Sequence, residues 1–231
     1  MARQLARHQK RMIVINMAGG LSQLESWDPK PATDTGGPFR AIPTSVPGTH
    51  ICELLPHTAK QIHHLALVRS INTKQHDHEL GHYQMTRGRP KRAGIDYPHL
   101  GAVVNKAIMP EGEALPGYVR ISPDAGRRSD SAYLGPKYDG MVVGSDRVPS
   151  YFVRPKSLTE EVERQRLLLK LRLDEQFLRA RRTAATDAYT FSYDQAARLI
   201  TKKDVFDTST EAPAVQESYG THDFGRHCLL A

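Results

Sequence analysis

The stretch Met12-Ile13-Val14-Ile15-Asn16-Met17, closed by Ala18-Gly19-Gly20, sets the expected fold. It is a short apolar run rich in β-branched residues, and two glycines end it. Such a run predicts a buried strand of a parallel sheet that enters a tight loop. Residues 65–70 predict a second buried strand, and apolar residues at helical spacing predict a helix within 50–64. Strand, helix and strand in this order indicate a parallel sheet with crossover connections.

The remaining pattern alternates between helices, a strand and irregular Gly/Pro-rich stretches. It predicts a helix over 98–108, a third strand over 118–122, a long helix from a capping box at 157–160 to about Arg182, a helix over about 187–202, and a helix from near Phe224. The long helix carries an apolar stripe formed by Val162, Leu169, Leu173, Phe177 and Ala180. We therefore expect an α/β part over 1–156 and a helical segment of the same domain over 157–231.

The end of the chain predicts a truncation. Leu229-Leu230-Ala231 lies inside an apolar helical pattern without a cap, so its last carbonyl groups are expected to lack partners. The first twelve residues are basic, but no apolar core follows them, so they do not form a complete signal peptide. No apolar run reaches the length of a membrane span.

The charge balance is basic, with 32 Lys and Arg against 25 Asp and Glu and a formal net charge of +7. Seven of these cations crowd residues 164–182, where acidic residues interleave with them. Interleaved charges indicate a solvated helix face, so we expect no nucleic-acid partner. Cys52 and Cys228 lie far apart without a CxxC partner, which favours free thiols over a disulfide or a zinc site.

One motif is distinctive enough to suggest a family. Residues 19–31, GGLSQLESWDPKP, resemble the opening motif of the bacterial family known as domain of unknown function 1501. Further matches follow in the same order at 37–39, 51–56, 67–70, 134–138 and 219–225. The resemblance implies an alkaline-phosphatase-like three-layer α/β fold with a mostly parallel sheet. It also implies export to the periplasm or the extracellular space, and metal-dependent hydrolysis of sulfate or phosphate esters.

The resemblance also implies a site at the carboxyl ends of the strands, which departs here from the superfamily pattern. Glu25 or Asp28 would have to supply the carboxylate that normally ends the first strand. Counted back from Gly88-Arg89 in the sulfatase-like pattern, the nucleophile position falls on His78, and no Ser, Thr or Cys lies between Thr73 and Thr86. The later metal ligands of the superfamily would lie beyond Ala231, so the site in this chain is expected to be incomplete.

Imidazole and carboxylate groups are the usual ligands of zinc, iron or manganese, and they cluster after the second predicted strand. The resulting hypothesis makes His78 catalytic and lets a divalent metal, zinc, calcium or manganese, bind at Glu25, Asp28, His76 and His82. Ser22, Gln23 and Arg89 would contact the anionic ester or glycan.

Simpler interpretations of these residues stay open. The histidines would then form a solvated loop, Ser22 and Asp28 would cap a turn, and Arg89 would brace a helix end. Two functions follow: a metal-dependent ester hydrolase, or a non-catalytic protein that binds anionic glycans or scaffolds a partner.

Overall fold

The computed structural model describes residues 11–17, 20–109, 115–122, 130–144, 157–180, 184–200 and 202–231. The chain is a mixed α/β protein, with small two-stranded sheets among more numerous helices. It forms two compact units, the first over the described residues of 13–76 and the second over the described residues of 77–231 together with Arg11 and Met12.

The first unit contains a small antiparallel sheet and one short helix. Strands β1 (Ala41–Pro43) and β2 (His50–Cys52) pair with Ala41 opposite Cys52. Helix α1 (Pro56–Gln61) follows and continues into a 3-10 turn at Ile62–His64. Proline is favoured in the first turn of a helix because it has no N–H to leave unpaired there. The core of this unit is formed by Ile51, Ala59 and Ile62.

The second unit begins with two helices whose ends are fixed by side chains. Helix α2 (His78–Arg87) starts at Asp77, whose Oδ1 accepts from the Leu80 N–H at 2.8 Å. It ends at Gly88, where the backbone turns left-handed with φ 74°. Helix α3 (Leu100–Ile108) follows. Strands β3 (Val119–Ile121) and β4 (Met141–Val143) then pair in parallel.

Helices dominate the last part of the second unit. They are α4 (Glu160–Ala180), α5 (Ala184–Ile200), α6 (Pro213–Tyr219) and α7 (Asp223–Leu230). Short 3-10 turns lie at Ala132–Leu134, Pro136–Tyr138, Lys203–Phe206 and Thr208–Thr210. Val143 of β4 packs with Leu199 of α5 and with Phe206 to form the core. Cys52 and Cys228 are free thiols, as expected.

The two strands predicted at 12–17 and 65–70 were wrong. Neither stretch has regular secondary structure, and Ile13 is 67% and Val68 66% exposed. β-branched residues favour a strand only where a neighbouring strand and a packed face are present. Within the described ranges, no strand pairs with either stretch, and the only parallel pair joins β3 to β4.

Several local predictions were confirmed, with shifted ends. The helix at 100–108 and the strand at 119–121 lie where the pattern placed them. The helix expected within 50–64 starts only at Pro56, because residues 50–52 pair as β2. At the start of α4, the hydroxyl of Thr159, rather than Ser157, accepts from the Val162 N–H at 3.3 Å. The division into 1–156 and 157–231 stays a prediction.

Helix α4 exposes apolar side chains around most of its surface. Four residues of its apolar stripe and three further leucines are about half exposed: Val162, Leu167, Leu168, Leu169, Leu171, Leu173 and Phe177. A contiguous apolar surface of this kind marks an interaction site or an aggregation hazard.

We therefore expect the isolated chain to bind a hydrophobic dye and to self-associate as its concentration rises. Replacing Leu169 and Leu173 by Gln should reduce both effects and leave the helical circular dichroism signal unchanged, because Gln is a good helix former. The control is Leu199→Gln, which changes a buried core position and should lower stability instead. Equal self-association of the double variant and the unchanged chain would contradict this prediction.

Candidate functional site

The loop after the first predicted strand is held mainly by its own main chain. The Ser22 carbonyl accepts from the Glu25 N–H and the Ser26 hydroxyl, at 3.2 and 2.6 Å. The Gln23 carbonyl accepts from the Asp28 N–H at 2.8 Å. Ser26 is fully buried, and its carbonyl accepts from the Cys52 N–H at 2.8 Å. The loop is thereby fixed to strand β2.

The carboxylate of Asp28 already has cationic partners within the first unit. Lys30 Nζ lies 2.8 Å and Arg69 Nε 3.7 Å from its Oδ1. Arg69 also donates to the His50 carbonyl at 2.7 Å. Asp28 thus braces two segments of the unit, while its role and that of Glu25 as metal ligands stay predictions.

The predicted histidines are divided between the two units. His76 belongs to the first unit, while His78 and His82 lie four residues apart on α2 of the second. Residues at this spacing share one face of a helix. His76, His78 and His82 are exposed. Among the described residues, no three His, Cys, Asp or Glu side chains come together to hold a metal ion.

The second unit contains a polar network that the sequence did not reveal. Asp130 is at its centre, with a side chain only 4% exposed. Its Oδ2 accepts from Arg120 Nη1 at 2.8 Å and from the Tyr118 hydroxyl at 3.4 Å. Its main-chain carbonyl accepts from the His99 N–H at 2.7 Å. One residue therefore joins strand β3 to the start of helix α3.

Asp139 fixes the loop that carries Asp130. Its Oδ1 accepts from three main-chain N–H groups, those of Asp130 at 2.6 Å, Ser131 at 3.1 Å and Gly140 at 3.2 Å. Three such bonds satisfy donors that would otherwise be buried without partners. The position of the Asp130 carboxylate is thus set before any ligand arrives.

His99 caps helix α3 with its ring. Its Nδ1 accepts from the Gly101 N–H at 3.1 Å and lies 3.0 Å from the Tyr118 hydroxyl. An Nδ1 that accepts from a main-chain N–H cannot carry its own proton, so the cap requires neutral imidazole with the proton on Nε2. The Tyr118 ring lies against Gly101 and Gly140, where an added methyl group would overlap it.

Burial shifts both ring pKa values of this network. It lowers the pKa of His99 below its ordinary value of 6.5 and raises that of the Tyr118 hydroxyl. The Asp130 carboxylate opposes the first shift and adds to the second. Cationic charge on Arg87, Arg120 and His82 lowers the pKa of His99 further. Near neutral pH, His99 is therefore uncharged and Tyr118 keeps its proton.

A second set of contacts joins the end of α2 to residues 96 and 97. The Tyr83 hydroxyl donates to Asp96 Oδ1 at 3.0 Å and accepts from the Tyr97 N–H at 2.8 Å. Arg87 donates from Nη1 to the Tyr97 carbonyl, and its side chain is only 10% exposed. These bonds fix the rings of Tyr83 and Tyr97 relative to the helix.

Four cations lie within six residues of the sequence, and three of them lie over these two rings. We call Arg87, Arg89, Lys91 and Arg92 the cationic ledge. The Arg87 and Arg89 guanidinium carbons lie 4.9 Å and 5.1 Å from the ring centres of Tyr83 and Tyr97, and Lys91 Nζ lies 5.7 Å from the Tyr83 ring centre. Arg89, Lys91 and Arg92 are exposed. In the described part of the chain, no carboxylate lies within ion-pair distance of these three.

Two of the residues found here had a weak sequence signal. Tyr118 and Arg120 alternate in the predicted third strand, which places both on one face of it. Asp130 and Asp139 lie in an irregular stretch, where spacing gives no indication of contacts. His99 precedes a predicted helix and could have been recognised as a cap, although Ser, Thr, Asp and Asn are the usual residues there.

The neutral cap makes folding stability depend on pH. The folded pKa of His99 is lowered, so the unfolded chain takes up its proton first as pH falls. The stability from the neutral cap is therefore present above about pH 6.5 and declines as pH falls toward the folded pKa. His99→Asn keeps a capping acceptor and removes the titration. We expect its urea midpoint to fall less between about pH 7.5 and about pH 5.5 than that of the unchanged chain.

His57→Asn, a change at an exposed histidine of α1, serves as the control and should retain the full pH dependence. A pH dependence that is identical with and without His99 would refute the assignment.

A protein-family model described as a protein of unknown function (DUF1501) matches residues 9–231. No curated protein and no solved structure matches the chain. The matched region includes the motif at 19–31 as well as that at 219–225, and it spans nearly the whole sequence. The chain therefore belongs to the DUF1501 family.

Proposed function

We propose that this chain binds the anionic group of a sulfate or phosphate ester, as the recognition part of an alkaline-phosphatase-like ester hydrolase. The proposal rests on the environment of the Arg89 side chain. Its guanidinium lies over the fixed ring of Tyr97, and no described carboxylate neutralises it. A planar guanidinium held in this way can donate two parallel hydrogen bonds to an oxyanion.

The surroundings of Arg89 favour binding over helix bracing. A bracing arginine bonds to main-chain carbonyls, and Arg87 has that role through the Tyr97 carbonyl. Gly88 ends the helix between the two arginines, so Arg89 leaves the helix direction. Part of the ordering cost of an arginine side chain is thus met before the ligand binds.

The metal expected from the resemblance, zinc, calcium or manganese, does not fit the described residues as a complete site. His78 and His82 offer two imidazoles on one face of α2, while a catalytic zinc site uses three protein ligands. Glu25, Asp28 and His76 stay proposed ligands. The resemblance implies the catalytic role of His78.

A non-catalytic protein that binds anionic glycans or scaffolds a partner is the second candidate. It is favoured by the imidazole of His78 at the position where the resemblance implies a hydroxyl or thiol nucleophile. The ledge would serve either function, because recognition of the anion precedes any chemistry.

Export to the periplasm or the extracellular space is proposed from the resemblance. None of the described helices has the length and apolar character that a membrane span requires.

Small esters test the proposal directly. We expect glucose 6-sulfate or glucose 6-phosphate to bind in calorimetric titrations more tightly than glucose. Arg89→Ala should weaken the binding of these esters about tenfold or more, because charge-assisted hydrogen bonds each contribute about 1.5–3 kcal/mol. Arg89→Lys should restore only part of it, since an ammonium lacks the planar fork.

The matched control is Arg172→Ala, which removes an exposed arginine of α4 and should leave binding unchanged. Equal binding of the esters and of glucose, or equal losses in the two alanine variants, would rule out Arg89 as the anion-binding residue.

A further inference from the structure

We infer that the ligand of the cationic ledge is a linear polysulfated polysaccharide rather than a single small ester. The inference rests on the proposed function, since it extends the anion contact at Arg89 to a row of contacts. Its basis is the arrangement of Lys91 and Arg92 beside Arg89.

The ledge offers more charge than one ester group can match. Arg89 lies over Tyr97 and Lys91 over Tyr83, so two different rings support these two cations. A sulfate monoester carries one negative charge and a phosphate monoester at most two, whereas Arg89, Lys91 and Arg92 are three exposed cations. A polymer with an anionic group on successive sugars can contact several of them at once.

The segment that carries the cations is ordered at both ends. The Gly88 N–H donates to the Gln84 carbonyl at 2.8 Å and ends α2. At the other end, Arg92 pairs with Ile95 in a tight turn, where the Ile95 N–H donates to the Arg92 carbonyl at 3.3 Å. A fixed row of cations loses less conformational entropy on binding than a flexible tail would.

The charge around the row is strongly one-sided. Four cations stand within residues 87–92, and Asp96 is the acidic group that contacts the row, through Arg87 at 3.8 Å. The side chain of Asp96 also accepts from the Tyr83 hydroxyl, so its charge is already shared. A polyanion therefore meets net attraction along the ledge.

The aromatic rings favour a polysaccharide over a nucleic acid. Single-stranded nucleic acids gain much of their affinity by stacking bases on open aromatic faces. Tyr97 is only 8% exposed and lies beneath Arg89, while Tyr83 is covered by Arg87 and Lys91. Neither ring offers a platform for a base, whereas the guanidinium and ammonium groups remain available to sulfate groups.

Heparin fragments of two, four and eight sugars, titrated against the whole chain, test the inference. We expect affinity to rise about tenfold or more from the disaccharide to the octasaccharide, because linked contacts raise the effective concentration. The affinity for the octasaccharide should also fall more steeply with salt concentration than the affinity for the disaccharide. The double variant Lys91→Ala, Arg92→Ala should lose most of the increase in affinity with fragment length. The slope of its log affinity against log salt concentration should be lower by roughly one for each charge removed.

Arg166→Ala with Arg172→Ala provides a charge-matched control on α4 and should leave the length dependence intact. An equal loss in this control would show attraction by net charge alone and would overturn the inference. Charge-matched oligothymidylate should bind more weakly than the octasaccharide. Equal or tighter oligothymidylate binding that depends on Lys91 and Arg92 would overturn the inference in favour of a nucleic acid.

The outcome separates the inference from the proposed function. If all fragments bind equally and Arg89→Ala still weakens glucose 6-sulfate, the polymer is excluded and anion binding stands. If neither the fragments nor the small esters bind, both proposals fail. If affinity rises with fragment length, and the Lys91 and Arg92 double variant loses this rise while the α4 control retains it, both proposals are supported.

Discussion

The hydroxyl of Tyr83 is the contact on which the polar features of the second unit depend. It donates to Asp96 and accepts from the Tyr97 N–H, and it thereby holds residues 96–97 against helix α2. Tyr97 then supports Arg89, while two residues further His99 starts helix α3 and reaches Tyr118. Burial raises the pKa of the Tyr83 hydroxyl, so the proton needed for the bond to Asp96 is retained. One hydrogen-bonded side chain thus supports both the proposed anion-binding surface and the start of the buried polar network.

The sequence predicted the elements whose stability is mainly local. Helix α3 has a proline shortly before it and an apolar face, and helix α4 has an N-terminal capping residue, so local signals were sufficient for both. The first two predicted strands were wrong because β-branched residues only favour an extended backbone. A strand also needs a neighbouring strand that supplies its hydrogen bonds. Residues 12–17 and 65–70 show the preference without a described partner. Helix α6 was missed because its seven residues include a single strong apolar anchor, Val215, and give no clear period.

The candidate site likewise contains some features that local sequence patterns indicate and others that depend on long-range contacts. The spacing of His78 and His82 places both on one face only if their segment is helical, and the structure shows that it is helix α2. The network around Asp130 required long-range contacts between residues 99, 118, 120, 130 and 139, which no local pattern encodes. Arg89 was identified as a possible anion contact from a motif-like stretch, but its support by Tyr97 was visible only in three dimensions. Composition also drew attention away from the ledge, because the largest group of basic residues lies over 164–182, where Arg164 and Arg179 pair with glutamates.

The two polar regions differ in whether their charges are already matched. In the network, Arg120 and Asp130 form a close pair, His99 is neutral and Tyr118 keeps its proton, so the only charge left over is the negative charge of Asp139, which main-chain N–H groups bind. Such a network orders a loop and a helix start, and it offers an arriving anion weak electrostatic attraction. On the ledge the balance is reversed, because the tyrosine rings hold the cations without cancelling their charge. A cation over an aromatic ring keeps its capacity to donate hydrogen bonds, whereas a cation paired with a carboxylate has largely spent it. Because an anionic ester group gains most from a cation whose charge is not already matched, we expect binding at the ledge and structural support from the network.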